Sequence, residues 1–160
     1  MADPHLIMYE EEADRISTVI DKLTRDANAK AVFLVDKNGQ LISSSGNTAG
    51  LDTTSLASLT AGNIAATGGL AELIGEKEFS ILFHEGEKDN LHISIVAGRV
   101  ILVVMFDNKS SLGLVRLRVK KTSQELAHIF EKLAEKRQEA LSEDSPFAEI
   151  TDDDIDNLFG

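Results

Sequence analysis

The chain has 160 residues, a length that predicts one domain with an appended tail, and 42% of them are apolar, enough for a core of mainly Leu, Ile, Val and Ala because Trp is absent. There is no cysteine, which excludes disulfides and thiolate metal sites and fits a reducing compartment. The net charge of −11 argues against non-specific binding to nucleic acid or anionic membrane, since both need positive charge. The N-terminus lacks a basic start followed by a long apolar run, so it does not read as a signal peptide. The longest apolar stretch, Val100 to Phe106, is too short to span a bilayer. The expectation is a soluble, cytoplasmic protein without membrane insertion.

Tyr9 to Ala27 reads as an amphipathic helix, with Ala13, Ile16, Ile20, Leu23 and Ala27 on one stripe. Ala31 to Val35 has strand character and stops at Asp36-Lys37-Asn38-Gly39, where Asn-Gly predicts a tight turn because both residues tolerate positive φ. Gln40 to Ser43 is the returning strand, and Ser44 to Leu51 reads as a loop. A second helix runs from Asp52 or Thr53 to Ile74, with Asp52 as its cap and Gly75 as its stop. Phe79 to Phe83, Leu91 to Val96 and Val100 to Phe106 read as three strands. From Ser110 to Arg137 two patterns compete. Val115, Leu117 and Val119 alternate with Arg116 and Arg118 like a strand. Leu112, Val115, Val119, Leu126, Ile129 and Leu133 continue one helical stripe, and the longer pattern wins. Asp107 or Ser110 would cap this third helix, and Gly113 costs it about 1 kcal/mol against Ala. The order is α-β-β-α-β-β-β-α, and the hairpin turns argue for an antiparallel α/β sandwich.

The chemistry-bearing residues form no recognisable catalytic set. His5, His84, His92 and His128 are not at metal-ligand spacing and have no nucleophile motif beside them. The glycines Gly62, Gly68 and Gly69 lie inside a helix, not in a phosphate-binding loop. No cofactor or metal is expected. Among the arginines, Arg99 is placed in a turn, without the context of a catalytic finger. The informative feature is the second helix. Ser58, Ala61, Gly62, Ala65, Gly68 and Gly69 make a small-residue stripe that would let another backbone approach closely. The second is the segment Ser142 to Gly160, which has seven acidic residues and no Lys or Arg. Its Thr151 and Asp154 suggest a capping box. Ile155, Leu158 and Phe159 then share a helical face, preceded by Pro146-Phe147, as in a docking motif that orders on binding.

Several stretches resemble the Roadblock family, of the bacterial MglB type. They are Asp26 to Lys30, Val35 to Gln40, Asp52 to Gly69, Phe106 to Arg116, and the tail Ser145 to Phe159. The resemblance implies a Roadblock domain over 8–138 and a C-terminal extension over 139–160 with a short helix. It implies a five-stranded antiparallel sheet, one helix on one face and two on the other. It implies a homodimer joined through the second helices and an edge strand. That dimer would bind the GTP form of a Ras-like GTPase of the MglA type and activate hydrolysis without a catalytic residue of its own. The setting would be cell polarity and gliding motility, with concentration at a cell pole. Carried onto this chain, Ala61, Ala65, Gly68 and Gly69 would face the GTPase from the second helix. Phe147, Ile155, Leu158 and Phe159 would contact it from the tail. The alternatives are a dimeric scaffold that leaves hydrolysis unchanged, or a small-molecule sensor domain.

Overall fold

The computed structural model describes residues 10–143. The first helix, α1 (Glu10–Asp26), buries Ile16, Ile20 and Leu23, one apolar residue per turn. Glu10, Glu11 and Glu12 open it and Arg25 closes it, matching the partial charges of the helix ends. Asn28, at φ 51°, turns the chain out of the helix, and Ala29 N–H bonds the Thr24 carbonyl at 3.0 Å.

Every residue of β1 (Ala31–Asp36) is buried. The turn that follows differs from the two-residue form the Asn-Gly pair suggested. Gly39 takes a positive φ of 92°, whereas Asn38 does not. The Asp36 carboxylate closes the loop instead, accepting from the N–H groups of Asn38 and Gln40, both at 2.9 Å. The return strand β2 (Leu41–Gly46) starts one residue later than expected and ends three residues later. Ser44 to Gly46 read as loop by composition, but they pair with Phe33, Val32 and Ala31. The neighbouring strand supplies hydrogen bonds that composition cannot announce. Gly46 is required there: a Cβ would sit 2.5 Å from the Lys30 carbonyl oxygen, at φ 85°.

Asp52 caps α2 (Thr53–Leu73) as expected, taking Ser55 N–H at 3.1 Å and Ser55 hydroxyl at 2.7 Å. These bonds hold the Asp52 carboxyl below its ordinary pKa. Gly75, at φ 80°, ends the helix, and Glu76 N–H bonds back to the Ala71 carbonyl at 2.9 Å. The strands β3 (Ile81–Glu85), β4 (Asn90–Val96) and β5 (Val100–Phe106) follow. Expectation placed β3 two residues early; its register pairs Ile81 with Ser94 and Glu85 with Asn90. All pairings are antiparallel, and the sheet order is β2-β1-β5-β4-β3.

The last helix, α3 (Leu112–Glu143), extends past the Arg137 limit of the sequence pattern. Its helical stripe is real: Val115, Val119, Leu126, Ile129 and Leu133 are buried, whereas Leu117 is exposed. The cap is neither Asp107 nor Ser110 but Ser111, whose hydroxyl oxygen accepts Leu114 N–H at 3.2 Å. Asp107 is taken by Lys109 N–H, and the Ser110 hydroxyl donates to the Ala27 carbonyl, tying the start of α3 to the end of α1. At the opposite end, Lys136 donates to the buried Glu12 carboxylate. That hydrogen bond, stronger than the opposing cost of burial, holds the Glu12 pKa down.

Two cores sit on opposite faces of the sheet. Helices α1 and α3 cover Val32, Leu34, Leu102 and Val104, and α2 alone covers Phe33, Val35, Ile101 and Val103. Strands β1 and β5 are therefore apolar on both faces, as central strands of a three-layer sandwich must be.

His92 lies in this interior. It is 1% exposed on β4, between Phe83 and Val104, and neither ring nitrogen has a hydrogen-bond partner among the described residues. Burial, reinforced by the Arg116 charge, pushes its pKa below the ordinary imidazole value. The folded protein therefore binds this proton less readily than the unfolded chain. The neutral form's contribution is complete above the ordinary value and is lost as pH falls below it. Replacing His92 with Leu is expected to flatten the stability curve between about pH 7 and 5. Urea midpoints across that range check this; a curve as steep as that of the parent chain would refute it.

Candidate functional site

The site is built on α2. Its sheet-facing side is narrow, with Ala57, Thr60 and Ala71 buried and Leu56, Ala61 and Ile64 partly so. The small residues at the start of the stripe serve packing within the chain. Gly39 of the β1–β2 turn comes so close that a Cβ there would lie 3.2 Å from Ser58 Cα and 3.6 Å from Ala61 Cβ. The sequence treats Ser58 to Gly69 as one stripe, but the fold divides it.

Ala61, Ala65 and Gly68 come together along one flank of α2. They line a shallow groove of about 220 Å³ with Ile64, Phe79 and Ile95. Lys37 and Lys77 border it, with Glu78 beside them. Gly69 does not reach this groove and turns outward. Ala65, Gly68 and Gly69 are exposed, and Ala61 is half-buried. The tail positions Phe147, Ile155, Leu158 and Phe159 lie outside the described residues, as does His5.

The outward side of α2 is the feature that small-residue reasoning missed. Leu59, Ala66, Leu70 and Leu73 recur there at helical spacing with Gly62 and Gly69. Leu59 is 73% exposed, Leu70 56% and Leu73 83%. The signal was present in the sequence: α2 carries apolar residues on every side, and its polar residues form no continuous stripe. A helix of that kind belongs in an interior, yet its outer face has no cover among the described residues. Nearby, β3 ends the sheet as an edge strand, and its Ile81 is half-exposed. Asn63 on α2 and His84 on β3 join these two elements at 3.0 Å.

A Cβ added at Gly62, Gly68 or Gly69 would meet nothing within 4 Å among the described residues. None of the described residues requires glycine there, although each costs a helix about 1 kcal/mol relative to Ala. Arg99, in the β4–β5 turn, is exposed, and its N–H closes the turn onto the Val96 carbonyl at 3.1 Å. Among the described residues no cluster of His, Cys, Asp and Glu could hold a metal ion. No described helix is long and apolar enough to cross a membrane.

These features define a class: a three-layer α/β sandwich with one helix left uncovered on its apolar side. A family model for the Roadblock/LC7 domain matches residues 15–106, and the chain belongs to that family, in its MglB type. Myxococcus xanthus MglB is 70% identical, with a TM-score of 0.76 over 80% of this chain and 96% of that one. The gliding protein MglB from Thermus thermophilus is 32% identical, with a TM-score of 0.76 over 82% of this chain and 99% of that one. An MglB described with a tetrameric arrangement is also 32% identical, at a TM-score of 0.76, over 82% of this chain and 98% of that one. No curated protein sequence matches the chain.

The empty Cβ positions give a direct test of where the glycines act. Gly62→Ala is expected to stabilise the subunit by about 1 kcal/mol at protein concentrations too low for assembly. A lower urea midpoint under those conditions would mean that the subunit itself needs the glycine.

Proposed function

We propose that this chain is a homodimeric regulator of a Ras-like GTPase of the MglA type, and that it activates GTP hydrolysis. The observation that carries the reading is the exposed apolar outer face of α2, with glycines that nothing in the subunit requires. Two copies related by a twofold axis would bury Leu59, Leu70 and Leu73 against each other, and the glycines would let the backbones approach closely. The β3 edges, with Ile81, would extend the pairing from helix to sheet. Similarity to MglB structures over most of the chain supports the same assembly.

In that dimer the grooves lined by Ala61, Ala65 and Gly68 remain open to a partner. Small side chains suit the backbone of a mobile loop, and Lys37 and Lys77 suit its acidic residues. The chain supplies no catalytic residue of its own. It accelerates hydrolysis by holding the GTPase's switch segments and catalytic groups in their reactive geometry, a positioning effect. Within this reading the Roadblock unit is 8–138. The extension 139–160 makes a second contact through Phe147, Ile155, Leu158 and Phe159. The cellular setting is polarity and gliding motility, in the cytoplasm and concentrated at a pole.

Two substitutions separate pairing from GTPase contact. Ala65→Arg places a bulky charge at the groove. It is expected to reduce single-turnover GTP hydrolysis by an MglA-type GTPase to the unstimulated rate while leaving sedimentation unchanged. Leu73→Glu is expected to shift the protein to monomers and to lose stimulation as well. Full stimulation by the Ala65→Arg variant would refute the assignment of the groove.

A further inference from the structure

The first half of α3 concentrates positive charge on an acidic protein. Between Ser110 and Gln124 there are four cations, Arg116, Arg118, Lys120 and Lys121, and no acid. Lys120 and Lys121 follow Leu117 by three and four residues, so they flank it on the helix surface. Leu117 is 63% exposed. None of the four cations forms a salt bridge among the described residues; Lys22, Lys30 and Lys136 make those. Arg118 Nε is buried without an acceptor among the described residues. Its side chain borders a crevice between α1 and α3 with Lys22 and Lys121, where Asp26 and Glu125 supply the only acids. An exposed leucine ringed by unpaired cations suits a segment that is both acidic and apolar.

The chain contains such a segment, and it follows Glu143, the last described residue of α3. Residues 144–160 include six acids, no Lys or Arg, and the large apolar residues Phe147, Ile150, Ile155, Leu158 and Phe159. The helix from Lys121 to Glu143 is roughly 33 Å long. Twelve extended residues span about 40 Å, which brings Ile155 and the residues after it back to Leu117. A tether of this length also raises the local concentration of the segment to the millimolar range. We propose that residues 144–160 fold back along α3 and dock their acidic, apolar end on the Leu117, Lys120 and Lys121 face of the same chain. The contact forms in the free protein and needs no GTPase. Because exposed charges hold it, salt weakens it.

The absence of native cysteine permits a clean test. Spin labels are placed at Gln124→Cys and Gly160→Cys of the full chain, diluted into excess unlabelled protein, and their separation is measured by double electron–electron resonance. The expected result at low salt is a population closer than the helix length from Gln124 to Glu143, roughly 29 Å. That population is expected to vanish at about 1 M salt, where the screening length is about 3 Å. It is expected to vanish equally in a Lys120→Glu/Lys121→Glu variant whose circular dichroism is unchanged. Distances that ignore both salt and charge reversal would overturn the proposal. So would a short separation that disappears on dilution with unlabelled chain, which would mean docking between molecules. Charge-dependent binding of the chain to phosphatidylserine vesicles without any short separation would assign the face to a lipid surface instead.

Discussion

The structure depends on covering a sheet whose two central strands are apolar on both faces. Strands β1 and β5 present Val32, Leu34, Leu102 and Val104 to one side and Phe33, Val35, Ile101 and Val103 to the other. Burial of such side chains contributes about 1.5–3 kcal/mol each, so neither face can be left wet. Two helices share the first face. A single helix covers the second, and that asymmetry shapes everything that follows. Helix α2 approaches the sheet through alanines and threonine, close enough for Gly39 of the hairpin to touch Ser58. It then has apolar residues left over, and they point away from the subunit.

This leftover face gives the molecule its character. A polar outer side would have made α2 an ordinary amphipathic cover. Instead Leu59, Leu70 and Leu73 stand in solvent, and Gly62 and Gly69 keep the surface between them low. Glycine in a helix interior is disfavoured, so its retention where the subunit has free space points outward, to close approach of another backbone. The edge strand β3 lies beside this face with Ile81 half-exposed. An open edge next to an open apolar helix is a liability for a lone subunit and an asset for a paired one. The other side of the sheet is tied internally. Lys136 meets Glu12, Ser110 meets Ala27, and Asn28 meets the Lys109 carbonyl, so α1 and α3 clamp each other at both ends.

Much of the fold was legible in the residues. The stripes Ile16–Ile20–Leu23 and Val115–Val119–Leu126–Ile129 name the faces of α1 and α3 directly, because helical periodicity records which side is buried. Asp52 and Gly75 mark the ends of α2 through chemistry local to each position. The errors came where local chemistry was ambiguous. Ser44 to Gly46 have loop composition, yet β1 offers them hydrogen bonds. Asp107, Ser110 and Ser111 can all cap a helix, and long-range demand on Ser110 from Ala27 helps decide among them. The candidate site was half legible. Its small residues stood out, but their division between the Gly39 contact, the groove and the outer face depends on which neighbour each one meets.

By itself, the sequence determined the order of elements, the buried side of each amphipathic helix, and the presence of one helix unlike the others. These are properties of spacing and of single residues, and they do not need a neighbour to be defined. Only the tertiary structure decided that Ala61, Ala65 and Gly68 share a groove with Phe79 and Ile95, that His92 is buried without a partner among the described residues, and that the leucines of α2 are exposed. A helix whose few polar residues follow no helical period has no polar face to reveal its orientation. Which side it hides and which it offers is fixed by the sheet beneath it.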